Sequence, residues 1–143
     1  MARIVAIDYG TKRVGIAVTD EFQLIATALT TVHATEILDF LNQYLKTEKV
    51  ECIVVGEPKQ MDNTPSQSAQ AVELFIKQLK KKFPEMPIER MDERFTSKMA
   101  LKTMIDGGSS KKDRRNKETI DKISATIILQ SYMELKTLKN ASK

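Results

Sequence analysis

Three residue types are scarce in this chain of 143 residues, which has one cysteine, one histidine and no tryptophan. Because Cys52 has no second cysteine to pair with, a disulfide within the chain is excluded. Its neighbours in the run Cys-Ile-Val-Val are apolar, so we expect a small core residue in a protein of a reducing compartment. His33 is also alone, which excludes a metal cluster or proton relay built from two histidines.

Long apolar runs are missing as well. No stretch is long enough to span a bilayer, and the amino terminus lacks the apolar core of a signal peptide, so we expect a cytoplasmic protein. The length is typical of a single domain, here residues 1–143, and allows a core that needs neither disulfides nor a structural metal. The formal net charge of +4 favours a polyanionic partner but does not establish one.

The first twenty residues carry the most informative pattern. Residues 4–7, Ile-Val-Ala-Ile, predict a strand covered on both faces, and Asp8 follows directly. Burying a carboxylate is costly unless a cation, a metal or several hydrogen-bond donors stabilise its charge. Residues 9–13 predict a tight turn in which Gly10 is free to take a positive φ, and Val14 begins a returning strand. Asp8 either binds a metal and a phosphate at the mouth of this hairpin or caps the turn, and this stretch alone favours neither.

The rest of the chain alternates between strand and helix periodicity. The predicted strands cover residues 4–8, 14–18, 22–32, 51–56 and 88–92. The predicted helices begin near Thr35, at an N-cap Thr64, at Ser97 (97–105) and at an N-cap Thr119. The last helix is expected to bury Ile120, Ile123, Ile127, Ile128, Tyr132 and Leu135. This order predicts an α/β fold with a five-stranded mixed sheet, three antiparallel strands followed by two parallel strands, flanked by helices.

Acidic residues follow two of the predicted strands and begin the last helix. Asp8 closes the first strand, Asp92 and Glu93 close the fifth, and Asp121 lies in the first turn of the terminal helix. Adjacent strand residues point to opposite faces, so only one of Asp92 and Glu93 should enter a common site. Carboxylates from three elements could hold two Mg²⁺ or Mn²⁺ ions, as two-metal phosphodiester cleavage requires. The structural alternative for Asp121 is a favourable interaction with the helix dipole.

Basic residues accompany the acidic ones. We expect substrate phosphates to contact eight of them, Lys12, Arg13, Arg94, Lys111, Lys112, Arg114, Arg115 and Lys117. The last five lie in a segment at 107–117 that begins Gly-Gly-Ser-Ser, and they could instead form a solvated surface. Arg94 could equally pair with the adjacent acids. Aromatic platforms for bases are scarce, since the two candidates, Tyr9 and Phe95, could both belong to the core.

Four segments resemble the signatures of one known family. They are residues 7–20, Ile-Asp-Tyr-Gly-Thr-Lys-Arg-Val-Gly-Ile-Ala-Val-Thr-Asp; 54–58, Val-Val-Gly-Glu-Pro; 92–97, Asp-Glu-Arg-Phe-Thr-Ser; and 121–130, Asp-Lys-Ile-Ser-Ala-Thr-Ile-Ile-Leu-Gln. In this order they resemble the YqgF/RuvX family of Holliday-junction-resolvase-like proteins, also described as nucleases that mature the small-subunit ribosomal RNA precursor. Glu57 and Pro65 depart from the family's usual Leu and Gly, which affects the substrate-side loop but none of the acids.

The resemblance implies a ribonuclease H-like fold and a two-metal nuclease. By the family pattern, Asp8, Glu93 and Asp121 are the catalytic, metal-binding acids, Asp8 is shared between two Mg²⁺ or Mn²⁺ ions, and the products carry 5′-phosphate and 3′-hydroxyl ends. The implied substrate is the pre-16S rRNA, cut during maturation of its 5′ end, or a Holliday junction. Two symmetric cuts in a junction require two sites, so both a monomer and a homodimer stay open.

Two other functions stay open from the sequence. A non-catalytic nucleic-acid-binding module would also present basic residues, and it would differ from a nuclease in lacking metal-dependent cleavage that requires Asp8. An actin-like or sugar-kinase-like phosphotransferase would account for the segment Asp-Tyr-Gly-Thr at residues 8–11. Those enzymes close two such domains around a nucleotide, whereas we expect one domain here.

Overall fold

A computed structural model of the protein describes residues 2–10, 12–57, 67–92 and 117–141. For residues 57, 67–69, 92, 117–123 and 137–141 it describes the backbone alone. The strands in these ranges are β1 (Arg3–Tyr9), β2 (Arg13–Thr19), β3 (Ala26–His33), β4 (Val50–Glu57) and β5 (Ile88–Asp92). The helices are α1 (Ile37–Thr47), preceded by a 3-10 turn at Ala34–Glu36, α2 (Gln67–Lys82) and α3 (Lys117–Ala141). No helix in the described ranges is long and apolar enough to cross a lipid bilayer.

The five strands form one mixed sheet in the order β3-β2-β1-β4-β5. The pairs β1–β2 and β2–β3 are antiparallel, and the pairs β1–β4 and β4–β5 are parallel. The predicted sheet of three antiparallel and two parallel strands is confirmed. Because β1, β4 and β5 run in the same direction, their carboxyl ends lie at one edge of the sheet, which we term the carboxyl edge. In open α/β sheets this is the edge at which ligands bind.

One face of the sheet packs against α1 and α2. Alternate residues of β1, β2 and β4 point to this face because side chains in a strand alternate with a period of two. The fully buried members of this first core are Val5, Ile7, Val14, Ile16, Ile53 and Val55 from the sheet, Ile37 and Leu41 from α1, and Val72, Phe75, Ile76 and Leu79 from α2. The buried residues of α2 recur at helical spacing, so one apolar stripe of this helix faces the sheet.

The other face packs against α3. Its core consists of Ile4, Ala6, Ala17, Cys52 and Val54 from the sheet and Ala125, Ile128 and Leu129 from α3. Cys52 is a buried core residue, as predicted, and burial raises the pKa of its thiol. The even-numbered residues of β1 therefore face α3, and this fixes the face on which Asp8 lies.

Contacts near the end of α3 establish its direction across the sheet. Lys136 Nζ lies 3.0 Å from Glu51 Oε2 and 3.2 Å from Gln23 Oε1. The bond from Lys136 lowers the pKa of the Glu51 carboxyl group, which lies near the amino end of β4. One turn earlier, the Tyr132 hydroxyl lies 3.8 Å from Cys52 Sγ. Helix α3 therefore runs antiparallel to β1 and β4, and its beginning lies towards the carboxyl edge.

The prediction that β3 begins at Phe22 is wrong, because the strand begins at Ala26. The carboxylate of Asp20 holds the preceding residues in a loop: its Oδ1 accepts hydrogen bonds from the backbone N–H groups of Leu24, at 2.7 Å, and Ile25, at 2.9 Å. The bond from Ile25 is the main reason that the pKa of Asp20 is lowered. Apolar composition alone did not reveal this side-chain-to-backbone competition.

The predicted start of the last helix is also wrong. Helix α3 begins at Lys117, so Thr119 is a helical residue and not the N-cap, and Asp121 is the fifth residue rather than part of the first turn. The favourable interaction with the helix dipole falls off within the first turn, so it is a weaker explanation for an acid at position 121. The predicted N-cap Thr64 and the helix predicted over 97–105 lie outside the described residues.

The buried face of α3 differs in part from the predicted one. Leu135 was expected to be buried, but it is 48% exposed. Ala125 and Leu129, which were not predicted, are fully buried together with Ile128. A small residue such as Ala125 allows close approach of helix and sheet, and a hydrophobicity pattern gives such a residue little weight.

Replacing Ile128 by Ala should destabilise the fold strongly. The side chain is 0% exposed in the α3 core, and truncating a buried Ile to Ala costs about 2–5 kcal/mol through lost burial and a residual cavity. The matched control is Leu135→Ala on the same helix, which should change the free energy of unfolding by less than about 1 kcal/mol. Urea denaturation of the two variants measures the difference, and equal losses would contradict the assigned packing of α3.

Candidate active site at the carboxyl edge

Asp8 is the acidic residue that β1 places at the carboxyl edge. It follows the fully buried residues 4–7, is itself half-buried, and pairs with Gly15 of β2. Ile4 and Ala6 pack in the α3 core, so alternation along the strand directs Asp8 to the same face. The carboxylate thus lies at the end of the central strand, on the side of the sheet that α3 covers.

The two strands adjacent to Asp8 both carry glycine beside it. Gly15 is its partner on β2. On β4, Val55 pairs with Ile7, so the next residue, Gly56, lies beside Asp8. Neither neighbour contributes a side chain, and a glycine inside a strand often marks the close approach of a ligand. On the α3 face, the residues beside Asp8 on both adjacent strands therefore present only backbone to the carboxylate.

The backbone of α3 at position 121 lies near the same edge. Tyr132 contacts Cys52, which pairs with Ile4 at the other end of β1. Residues 121 and 132 are separated by about 16 Å along a helix that rises 1.5 Å per residue. Ile4 and Asp8 are separated by about 13 Å along a strand. Because α3 is antiparallel to β1, these similar lengths bring position 121 level with the end of β1.

Strand β5 ends at this edge too. Asp92 pairs with Glu57 at the last position of the β4–β5 ladder. Arg90, two residues earlier, forms a two-bond ion pair with Glu73 of α2, and this bond lowers the pKa of the Glu73 carboxyl group. Met91 packs instead against the α3 core. The even-numbered positions of β5 therefore belong to the α2 side of the sheet, and the odd-numbered positions to the α3 side.

The turn after Asp8 depends on a glycine for a steric reason. The Gly10 N–H donates to the Arg13 carbonyl oxygen at 2.9 Å. A Cβ on Gly10 would lie 2.6 Å from that oxygen, which is shorter than any normal contact. Gly10 does not use its freedom to take a positive φ, since its φ lies outside the left-handed region. Close approach of two backbone segments explains the residue instead.

The structure describes only some of the residues predicted to contact phosphate or to stack on bases. Lys12 is exposed and Arg13 half-buried, both at the carboxyl edge. Tyr9 stacks on Phe75 with ring centroids 4.4 Å apart, so it belongs to the first core and is no platform for a base. Lys117 is the first residue of α3, where the backbone alone is described. The other predicted site residues, Glu93, Arg94, Phe95, Lys111, Lys112, Arg114 and Arg115, lie outside the described residues.

The described part of the site fits a divalent metal in chemistry but is incomplete. Among the side chains that the structure describes, no three His, Cys, Asp or Glu groups cluster as a metal site. Asp8 supplies a hard oxygen ligand of the type that Mg²⁺ and Mn²⁺ prefer. The flanking glycines, which sequence reasoning assigned no role, place no side chain beside the carboxylate. Their position in the middle of strands was the available signal.

The sheet order, with an acid at the end of the central strand, defines a ribonuclease H-like fold of the kind found in resolvases. Fowlpox virus resolvase in complex with Holliday junction DNA superimposes with a TM-score of 0.57 at 11% identity, over 92% of this chain and 97% of that one. Thermus thermophilus RuvC in complex with a Holliday junction substrate gives 0.57 at 16% identity, over 96% of both chains. At such identities the likeness shows the fold alone.

Sequence comparison places the chain in a family. RuvX, described as Holliday junction resolvase, matches residues 2–135. A protein of Christiangramia forsetii named "Putative pre-16S rRNA nuclease" is 62% identical over 93% of this chain and 98% of its own length. A protein of the same name from Bacteroides fragilis is 57% identical over 96% of this chain and 100% of its own. The chain therefore belongs to the RuvX family, and the prediction of a nuclease is confirmed at the level of the family.

Replacing Gly10 by Ala should disturb the turn beside Asp8. The added methyl group would overlap the Arg13 carbonyl oxygen, and accommodating such overlap costs roughly 1–3 kcal/mol. Amide hydrogen exchange and urea denaturation measure the effect, and the Gly10 amide should lose protection. Lys12→Ala is the control, because it changes the same turn without adding an atom near that oxygen. Wild-type stability and exchange in the Gly10 variant would contradict the steric explanation.

Proposed function

We propose that this chain is a metal-dependent nuclease that cuts phosphodiester bonds of structured RNA, with pre-16S rRNA as its substrate. The observation that carries the proposal is the placement of Asp8, a half-buried carboxylate at the end of the central strand with glycines on both adjacent strands. The named substrate of relatives 57–62% identical supports the choice of RNA. A cytoplasmic location, expected from the sequence, accords with this substrate.

Asp121 is proposed as the second acid of the site. Its position lies one helical turn before Ala125, on the stripe of α3 that also carries Ile128 and Leu129 and packs on the sheet. Because α3 begins towards the carboxyl edge, an acid at this position would approach the end of β1 on the face of Asp8. The position of α3 therefore supports a shared site for Asp8 and Asp121, whereas the sequence also offered the helix dipole as an explanation for Asp121.

Glu93 is proposed as the third acid, in preference to Asp92. Positions 90 and 92 are alternate residues of β5, so they belong to the same side of the sheet. The Arg90 side chain reaches Glu73, which identifies this as the α2 side. If the chain stays extended after Asp92, position 93 would belong to the same side of the sheet as Met91, which packs against the α3 core. Only the α3 side of the sheet carries Asp8, so strand alternation favours Glu93 as its partner.

The proposed acids together form an all-oxygen donor set, which suits Mg²⁺ or Mn²⁺. Such ions, when bound, neutralise the scissile phosphate and lower the pKa of the attacking water. The chain's own part is to hold the carboxylates in place: β1 fixes Asp8, and α3, packed rigidly through Ile128, fixes position 121. Products with 5′-phosphate and 3′-hydroxyl ends are expected from this class of reaction.

The basic residues are proposed to hold the nucleic-acid backbone. Lys12 and Arg13 lie at the carboxyl edge, where the Gly10 turn directs the chain away from Asp8. Arg94 and the basic segment ending at Lys117 are proposed on sequence grounds, because they flank Glu93 and Asp121 along the chain. Contacts of this kind make affinity fall with rising salt concentration.

Replacing Asp8 by Asn tests the proposal directly. The substitution keeps the shape of the side chain and removes its charge, so metal-dependent cleavage should fall by about 100-fold or more while binding persists. The assay offers a pre-16S rRNA fragment and a four-way DNA junction side by side with Mg²⁺ or Mn²⁺. Cleavage of the junction alone would overturn the choice of RNA.

The matched control is Asp20→Asn. It makes the same change of charge at the opposite end of the sheet and keeps an Oδ1 acceptor for Leu24 and Ile25. Its cleavage rate should equal that of the wild type. If the Asp8 variant cleaved as fast as this control, the nuclease site would lie elsewhere. Absence of cleavage by the wild type would favour a non-catalytic nucleic-acid-binding module.

A further inference from the structure

His33 lies at the carboxyl edge, on the same face of the sheet as Asp8. It is the last residue of β3 and pairs with Arg13, which lies two residues before Gly15, the partner of Asp8. The intervening pair, Val14 and Val32, packs in the first core, so Arg13 and His33 alternate to the α3 side. Two strand spacings, about 10 Å, separate β3 from β1.

Hydrogen bonds to Thr35 fix the orientation of the imidazole ring. The Thr35 backbone N–H donates to His33 Nδ1 at 3.2 Å, and this bond caps the 3-10 turn. An acceptor Nδ1 requires that the neutral ring carries its proton on Nε2. The Thr35 Oγ1 lies 2.9 Å from the same Nδ1, so two atoms of Thr35 hold this side of the ring.

The other ring nitrogen is available to a ligand. The His33 side chain is exposed, and in the described part of the chain its hydrogen bonds are made by Nδ1 and not by Nε2. The Ala34 N–H donates to the Lys12 carbonyl oxygen at 3.0 Å, which ties the turn that carries His33 to the hairpin tip that carries Lys12. The Nε2–H group of His33 is thereby held next to Lys12 and Arg13.

We propose that His33 is a substrate-positioning residue whose Nε2–H donates to a phosphate of the nucleic-acid backbone next to the scissile one. With Lys12 and Arg13 it forms a phosphate-binding strip across the ends of β2 and β3. The inference rests on the proposed function, since it assigns the strip to the substrate of that site. The contact carries no sequence information and orients the backbone towards Asp8.

Two substitutions separate substrate binding from helix capping. His33→Asn keeps an acceptor suited to the N-cap but is too short to replace Nε2. His33→Lys supplies a donor to phosphate but cannot accept the Thr35 N–H. We expect the Asn variant to bind RNA roughly three- to tenfold more weakly, because one hydrogen bond to phosphate is lost. Its urea unfolding midpoint should not change, because the cap is kept. The Lys variant should bind more tightly than the Asn variant and unfold at a lower urea concentration.

Binding is measured by fluorescence anisotropy with a fluorescein-labelled RNA spanning the 5′ boundary of 16S rRNA, in EDTA at fixed salt. With metal present, the Asn variant should raise KM and leave kcat unchanged. Wild-type affinity of the Asn variant, or weaker binding by the Lys variant than by the Asn variant, would overturn the inference. Binding in EDTA does not depend on cleavage, so the two tests are independent. A negative result for His33 would not contradict the nuclease proposal, and a negative result for Asp8 would not prevent the measurement of RNA binding by the His33 variants.

Discussion

The structure depends on the burial of β1 at the centre of the sheet. Its neighbours β2 and β4 satisfy its backbone, and helices cover both faces, so residues 4–7 are fully buried. The buried run of this strand has no access to water, and Asp8 is the first residue after that run. The cost of desolvating a carboxylate makes this position useful only where a cation or hydrogen-bond donors approach it.

The surrounding elements meet this constraint in different ways. Glycines on β2 and β4 place no side chain beside the carboxylate, and the Gly10 turn brings basic residues to the same edge. Helix α3 covers this face of the sheet, and the bond between Lys136 and Glu51 holds the end of the helix at the opposite edge. The position of an acid early in α3 is therefore set by contacts that lie some four helical turns away.

The sequence was sufficient where local chemistry decides the structure. The apolar runs located β1 and β4, the bounds of β5 were correct, and the order of elements predicted the mixed sheet. It was insufficient where tertiary contacts override propensity. The Asp20 carboxylate converts an apolar stretch into a loop, and Ala125 rather than Leu135 packs on the sheet. For the proposed site, the sequence predicted Asp8, but its position beside Gly15 and Gly56 required strand register.

The central proposal is that Asp8, Glu93, which follows β5, and Asp121 of α3 bind a divalent metal together. Anomalous scattering from a crystal grown with Mn²⁺ tests it most directly. The account predicts Mn²⁺ density at about 2.1 Å from the Asp8 carboxylate, on the face covered by α3, with Asp121 and Glu93 as further ligands. Mn²⁺ bound elsewhere, with Asp8 turned away from it, would contradict the account.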